Sequence, residues 1–271
     1  AEMLGQDPAL DPGPVMDRIS NFRGIGGLAT TDGRTTASGL LWRSGHLARA
    51  TDDDLARLHA LAVRTVVDLR TDDDIATDGP DLLPDEVVCR PIPIPDEAGV
   101  GADIRAKILR GDLGEMRSVW SNGRSMEIAV QGAVKMATNP SQVAAFSEVF
   151  SVIGESDNWP LVWHCSAGKD RAGWVGTALL LLLGVGRDAV VAHYLTSNRR
   201  TDERIAGLVA SGRTDSSLVD LIRPFVEVSP EAVRAQMEAV DGHWGGAEAM
   251  FRDGFGFDDR RISELRCRLL D

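Results

Sequence analysis

The run Leu161–Leu183, LVWHCSAGKDRAGWVGTALLLLL, constrains this chain more than any other stretch. A short apolar segment ends in His164 and Cys165, a loop of small and charged residues follows, and a strongly apolar helical segment starts near Arg171. The pattern predicts a strand, a turn and a helix, with a cysteine at the mouth of the turn. Five residues separate Cys165 from Arg171. A loop of that length curls so that successive backbone N–H groups point inward at the helix N-terminus, which makes a cradle for a phosphate-sized dianion.

The residue types in the loop fit that cradle. A free thiol titrates near 8.5, and a helix N-terminus with nearby cations brings cysteines into about 3.5–7.5, so a cysteine placed here is expected to react as the thiolate. A thiolate attacks phosphorus far more readily than a thiol. The planar fork of Arg171 holds two phosphoryl oxygens and opposes the charge that builds on them. Lys169 adds a second positive charge, and Gly168 leaves room for a tight turn and a close ligand. Other chemistries fit less well. A nucleotide-binding Walker loop needs Gly at 163 and Ser or Thr at 170, where this chain has Trp163 and Asp170. Sulfur transfer and arsenate reduction also use a cysteine in an anion loop, and a buried structural cysteine is the plainest alternative.

The stretch His164-Cys165-Ser166-Ala167-Gly168-Lys169-Asp170-Arg171 resembles the signature of the cysteine-dependent protein tyrosine phosphatases, in the Lys-Asp-Arg variant of the bacterial atypical branch of mycobacterial type. Asn21-Phe22-Arg23 with Gly26-Gly27, Leu41 to Leu47, Val66 to Arg70 and Tyr194 to Asn198 resemble further family segments in the same order. The resemblance implies activity on phosphotyrosine, with possible dual or phosphoinositide specificity, through a phosphocysteine intermediate. It implies Cys165, Arg171 and Asp170 as catalytic residues, and Ser166, Ala167, Gly168, Lys169, Ala172 and Gly173 as the phosphate-binding loop. His164 is expected to orient or tune Cys165. Asp96, in a loop after a strand, competes with Asp170 for the role of general acid; Asp170 is preferred because the loop fixes its distance from the phosphate. Two departures stand out. Ala172 replaces the family's Ser or Thr after the Arg, which assists hydrolysis of the intermediate, and Gly24 replaces a frequent Asp. The first keeps open a phosphate-binding module of poor turnover.

Composition bounds the partners. With 29 basic and 41 acidic residues the net charge is −12, so nucleic acid is an unsuitable partner, and an anionic substrate needs a local field opposing the global one. Cys89, Cys165 and Cys267 form no C-x-x-C pair, and the five histidines show no H-x-x-x-H spacing, so neither a disulfide framework, a metal site nor an organic cofactor is expected. The apolar run after the loop is too short to span a bilayer. A cytoplasmic protein is expected, with secretion the alternative.

In chain order, residues 1–20 read as an extended arm and 21–271 as one α/β phosphatase domain, a mostly parallel sheet with helices on both faces. Thr51-Asp52-Asp53-Asp54 and Thr71-Asp72-Asp73-Asp74 each open a helix, threonine capping and carboxylates meeting the dipole. Strands are expected near 40, 66, 90 and 162, that of Val87–Ile94 at an edge because of its prolines. The resemblance places Arg43 and His46 in the core scaffold. Residues 99–137 read as a helical insertion, which the resemblance implies to be a lid, and in it Met116, Trp120, Met126, Ile128 and Met136 either face an apolar substrate or pack on the core. Asn139-Pro140 starts the next helix.

Overall fold

A computed structural model of the chain describes residues 11–95, 124–199, 201–212 and 214–271. Five strands form one sheet: β1 (Arg23–Gly24), β2 (Leu41–Ser44), β3 (Thr65–Asp68), β4 (Val88–Pro91) and β5 (Leu161–His164), in the spatial order β1-β2-β5-β3-β4. β1 is antiparallel to β2, and the other pairs are parallel. Strands β2, β3 and β5 are buried along their whole length, as parallel strands covered on both faces must be. Their side chains divide by the two-residue period of a strand. Leu41, Val67, Leu161 and Trp163 enter the larger core, while Trp42, Val66 and Val162 enter a smaller one with Leu58. The last strand, β4, lies at the edge, as its prolines require. It is shorter than Val87–Ile94, because Pro91, Pro93 and Pro95 offer no ladder N–H.

Helices α1 (Asp52–Ala60) and α2 (Asp72–Asp78) carry the two threonine caps, each a complete capping box. Helix α3 (Arg124–Thr138) is the described part of the expected insertion. Its C-terminal half is fixed to the body by Gln236 Nε2 donating to Ala133 O and Trp244 Nε1 donating to Ala137 O. Helix α4 (Pro140–Gly154) starts at Asn139, whose side chain accepts from Ser141 N and Gln142 N. It buries Val143, Phe146, Val149 and Phe150, each worth about 1.5–3 kcal/mol of transfer from water.

Helix α5 (Arg171–Leu182) runs back from β5 through the larger core, and all its residues except Arg171 and Leu181 are buried. A left-handed Gly184 follows its end, φ +82°. Helix α6 (Arg187–Leu195) tightens into a 3-10 turn at Thr196–Asn198. Helices α7 (Thr201–Ala210), α8 (Val219–Val226), α9 (Pro230–Ala239) and α10 (Asp259–Leu269) complete the chain, with α9 packed on α3. Among the described residues, no helix is long and apolar enough to cross a membrane.

Candidate active site

In register, β5 places His164 between Ser44 of β2 and Asp68 of β3, so Cys165 emerges at the carboxyl end of the central strand. Open parallel sheets receive ligands at that end. The loop that follows is held from behind, carbonyl by carbonyl. The His164 Nδ1 atom is 3.3 Å from Cys165 O, and His46 N donates to Ser166 O at 3.2 Å. Asn21 Nδ2 donates to Ala167 O at 3.5 Å and to Gly168 O at 2.7 Å. Arg43 Nη2 donates to Gly168 O at 2.7 Å and to Lys169 O at 3.1 Å. In a trans peptide the C=O and the next N–H point opposite ways. The amides of residues 166–170 are therefore aimed to the other side of the loop, and among the described residues none has a protein acceptor. Gly168 sits at φ +70°, and a Cβ there would come 2.3 Å from the Ser44 carbonyl carbon, so the turn admits glycine alone.

Arg171, the first residue of α5, is fixed by an acid that the sequence presents only as a helix cap. Its Nη1 donates to Asp74 Oδ2 at 2.7 Å and to Leu69 O at 3.2 Å, while Ser166 Oγ donates to Asp74 Oδ1 at 3.1 Å. One buried carboxylate thus ties both ends of the loop to α2. Burial works against the Asp74 charge, but Arg171 more than offsets it and holds the carboxyl down to about 2. Burial likewise opposes the Arg171 charge, and Cys165 and Asp74 outweigh it and raise the guanidinium further.

Two more guanidiniums lie beneath the loop. Arg43 is fully buried along the face of α5 left open by Gly173 and Gly176, and Arg23 donates to Asn21, His193 O and Ser197 Oγ. Neither has a carboxylate partner among the described residues. Burial pulls Arg43 down to about 10, which leaves it charged at neutral pH. Burial first, and then repulsion from Arg43, also pulls Arg23 down. These cations supply a positive field in a chain of net charge −12. Sequence reasoning placed Arg43 and His46 in the scaffold; both do lie there, and both grip the loop.

Other expected residues take distinct places. The Lys169 ammonium donates to the carbonyls of Phe225 and Glu227, at the end of α8, and lies 3.6 Å from Asp170 Oδ2. The Asp170 side chain is 53% exposed and makes no capping bond to α5. The side chain of Ala172 and the Cα of Gly173 face the core: Ala172 is fully buried, and a Cβ on Gly173 would strike Tyr194 at 2.5 Å. Asp96, Met116 and Trp120 lie outside the described residues.

Cys165, Ser166, Ala167, Lys169, Asp170 and Arg171 open into one cavity of about 1070 Å³. Its walls include Met126, Ile128 and Met136 of α3, Leu208 of α7 and Val226 of α8. Met136 also belongs to the core. The volume is several times that of a phosphate and accommodates the group that carries it. Among the described residues, Asp68, Asp81 and His164 bring three possible ligand atoms within 4.8 Å of one another. Arg70 fills the place of a cation there, its Nη2 lying 2.9 Å from Oδ2 of each aspartate.

Known proteins are similar to this chain over most of its length. A sequence model described as the tyrosine phosphatase family matches residues 14–271. The chain is 30% identical over 268 residues to a Cupriavidus necator protein assigned by name to the tyrosine-protein phosphatases, covering 94% of this chain and 88% of that one. It is 29% identical over 271 residues to the triple specificity protein phosphatase PtpB of Mycobacterium tuberculosis, covering 92% and 96%. A tyrosine-protein phosphatase of Nostoc commune is 27% identical over 236 residues, covering 84% and 73%.

Proposed function

This chain belongs to the tyrosine phosphatase family, and from that membership we propose that it cleaves phosphomonoesters by two displacements at phosphorus with Cys165 as nucleophile. The amides of residues 166–170 and the Arg171 fork bind the phosphoryl oxygens. The Cys165 sulfur attacks phosphorus, the P–O bond to the leaving alcohol breaks, and Asp170 gives that oxygen its proton. Water then attacks the phosphocysteine, Asp170 takes a proton from it, and the thiolate leaves with inorganic phosphate as product. The observation that carries this reading is the set of five amides turned to one side by partners on every carbonyl behind them.

Phosphotyrosine on a protein is the proposed substrate, and the cavity of about 1070 Å³ with its apolar wall supports acceptance of larger phosphorylated groups as well. The name of the mycobacterial relative, triple specificity protein phosphatase, supports the same breadth. Ala172 supports a second reading: at this fully buried position there is no hydroxyl to assist departure of the Cys165 thiolate.

Rapid quenching with a phosphorus-labelled phosphotyrosine peptide tests both. Label recovered on Cys165 together with a sustained linear rate supports the enzyme. A burst of one equivalent followed by a stall supports a binding module, and absence of label on the cysteine during turnover contradicts the covalent mechanism.

A further inference from the structure

Asn21 is set apart from the other residues behind the loop by its backbone. Its φ is +58°, a left-handed conformation that residues with a Cβ adopt at a cost and that asparagine tolerates better than most. Gly45 N donates to Ser20 O at 2.7 Å and fastens the preceding residue in place. Strain of this kind persists where the surroundings enforce it, and it clusters at functional sites.

The side-chain amide has one workable orientation. A guanidinium only donates, so Oδ1 faces Arg23 Nη1 and the NH2 group is left for the opposite side. There Nδ2 donates to Gly168 O at 2.7 Å, with Ala167 O at 3.5 Å and Ser197 Oγ at 3.3 Å. Ser197 Oγ also accepts from Arg23 Nη2 at 2.9 Å, so the turn after α6 closes the ring of contacts. Rotating the amide would set its NH2 against a cation and its oxygen against the loop carbonyls.

The main acceptor belongs to the softest peptide of the loop. Glycine loosens the torsions on either side of it, and Gly168 itself sits at φ +70°. The Gly168–Lys169 peptide has two orientations. One turns C=O to the protein and the Lys169 N–H to the cradle; the reverse puts an oxygen where a phosphoryl oxygen must bind. Two donors converge on this carbonyl, Asn21 Nδ2 and Arg43 Nη2, each at 2.7 Å, and together they take both its lone pairs.

We infer that Asn21 is a positioning residue of the phosphatase reaction: its amide, locked by Arg23, keeps the Gly168–Lys169 peptide turned so that the Lys169 N–H faces the phosphate. The inference rests on the reading of the loop amides as the phosphate cradle. Asn21→Asp separates this role from packing. It keeps size and shape, gives the buried Arg23 the carboxylate it lacks among the described residues, and puts an acceptor in place of the NH2 that faces Gly168 O. Turning the peptide over relieves the repulsion, because the Lys169 N–H then meets the new carboxylate. The fold is kept, while the cradle loses a donor and gains an oxygen.

The test titrates the full chain with inorganic phosphate by calorimetry, alongside kcat/KM for a phosphotyrosine peptide and the thermal midpoint. In Asn21→Asp, phosphate affinity is expected to fall at least about tenfold and kcat/KM about 10²–10³-fold, the scale of one lost preorganised donor, with the midpoint at or above that of the native chain. Asn21→Gly, which takes the left-handed backbone without strain but has no amide, is expected to lie between Asn21→Asp and the native chain. Phosphate affinity or kcat/KM within about threefold of native in Asn21→Asp contradicts the inference, and so does a loss that tracks a lowered midpoint. If Asn21→Asp does not fold, Asn21→Gly decides, and native phosphate affinity there is the contradicting result. Phosphate binding does not need Cys165 to attack. Full turnover by Cys165→Ser would therefore overturn the nucleophile and leave the effect of Asn21 on phosphate affinity untouched.

Discussion

The chain writes nearly the same six residues twice, Thr51-Asp52-Asp53-Asp54-Leu55-Ala56 and Thr71-Asp72-Asp73-Asp74-Ile75-Ala76, and puts them to different uses. Locally the two agree. Both threonines adopt extended caps with ψ 167°, both hydroxyls accept from the third aspartate's N–H, and both third aspartates reach back to the cap. They part in what else the third carboxylate meets. Asp54 accepts from Asp17 N at 2.6 Å and Arg18 N at 2.9 Å and pairs with Arg57, so it fastens the segment before β1 to α1. Asp74 accepts from Arg171 and Ser166 and so fixes the loop between Cys165 and Arg171. The cause lies in the connections. Strands β2 and β3 both pair with β5, but α2 begins at Asp72, close behind the end of β3 at Asp68, and its N-terminus stays beside the loop that follows β5, whereas α1 begins at Asp52, farther along the chain from the end of β2 at Ser44, and its N-terminus reaches the segment before β1 instead. A helix start written in local chemistry acquires its partners from the connection that delivers it.

The largest test of this contrast is Asp74→Ala against Asp54→Ala. Losing the Asp74 tie frees the Arg171 fork, and kcat for a phosphotyrosine peptide is expected to fall about 10²–10³-fold, the scale of losing one preorganised donor. Asp54→Ala should leave kcat within about twofold; equal losses in the two variants would break the comparison. On stability the second variant is the informative one. Removing a buried carboxylate that accepts several backbone N–H groups costs about 2 kcal/mol, and calorimetry should show a Tm lower by about 4–8 °C.

The caps themselves should differ more weakly. Thr51→Ala and Thr71→Ala each lose about 1 kcal/mol in denaturant unfolding, but only Thr71→Ala should lower kcat, by several-fold, with Thr71→Ser restoring it. The smallest expected effect concerns pH. The folded carboxyl of Asp74 is depressed to about 2, so its pairing with Arg171 is complete above the unfolded value near 3.9 and is lost only as pH falls through about 2. An acid limb of the activity profile between pH 7 and 5 is therefore expected to come from groups other than Asp74. Asp74→Asn should lower the rate and leave that limb where it was; a limb that moved would return the titration to Asp74.

What the sequence made legible follows the same division between local and distant. The β5–loop–α5 unit reads directly, because an apolar strand, a small-residue turn and a buried helix leave adjacent signals, and the caps at Thr51, Thr71 and Asn139 do as well. The residues that hold the loop do not. Asn21 lies 147 residues from Gly168, Arg43 lies 125 from it, and Asp74 lies 97 from Arg171, so their roles exist only once the strands are ordered. Lys169 reads from the motif as a positive charge in the loop, and its contacts with the Phe225 and Glu227 carbonyls at the end of α8, more than fifty residues onward, again exist only in the fold. Ala172 is legible as an absence of hydroxyl, and the fold adds that its methyl is packed in the core.

The most direct test of the account is turnover and ligand binding by Cys165→Ser. Hydrolysis of a phosphotyrosine peptide is expected to fall by about 10⁴-fold or more, since the hydroxyl is a poor nucleophile, while calorimetric binding of the same peptide stays within a few-fold, because the loop amides and Arg171 remain. Turnover that survives the substitution, or binding that vanishes with the sulfur, would contradict it.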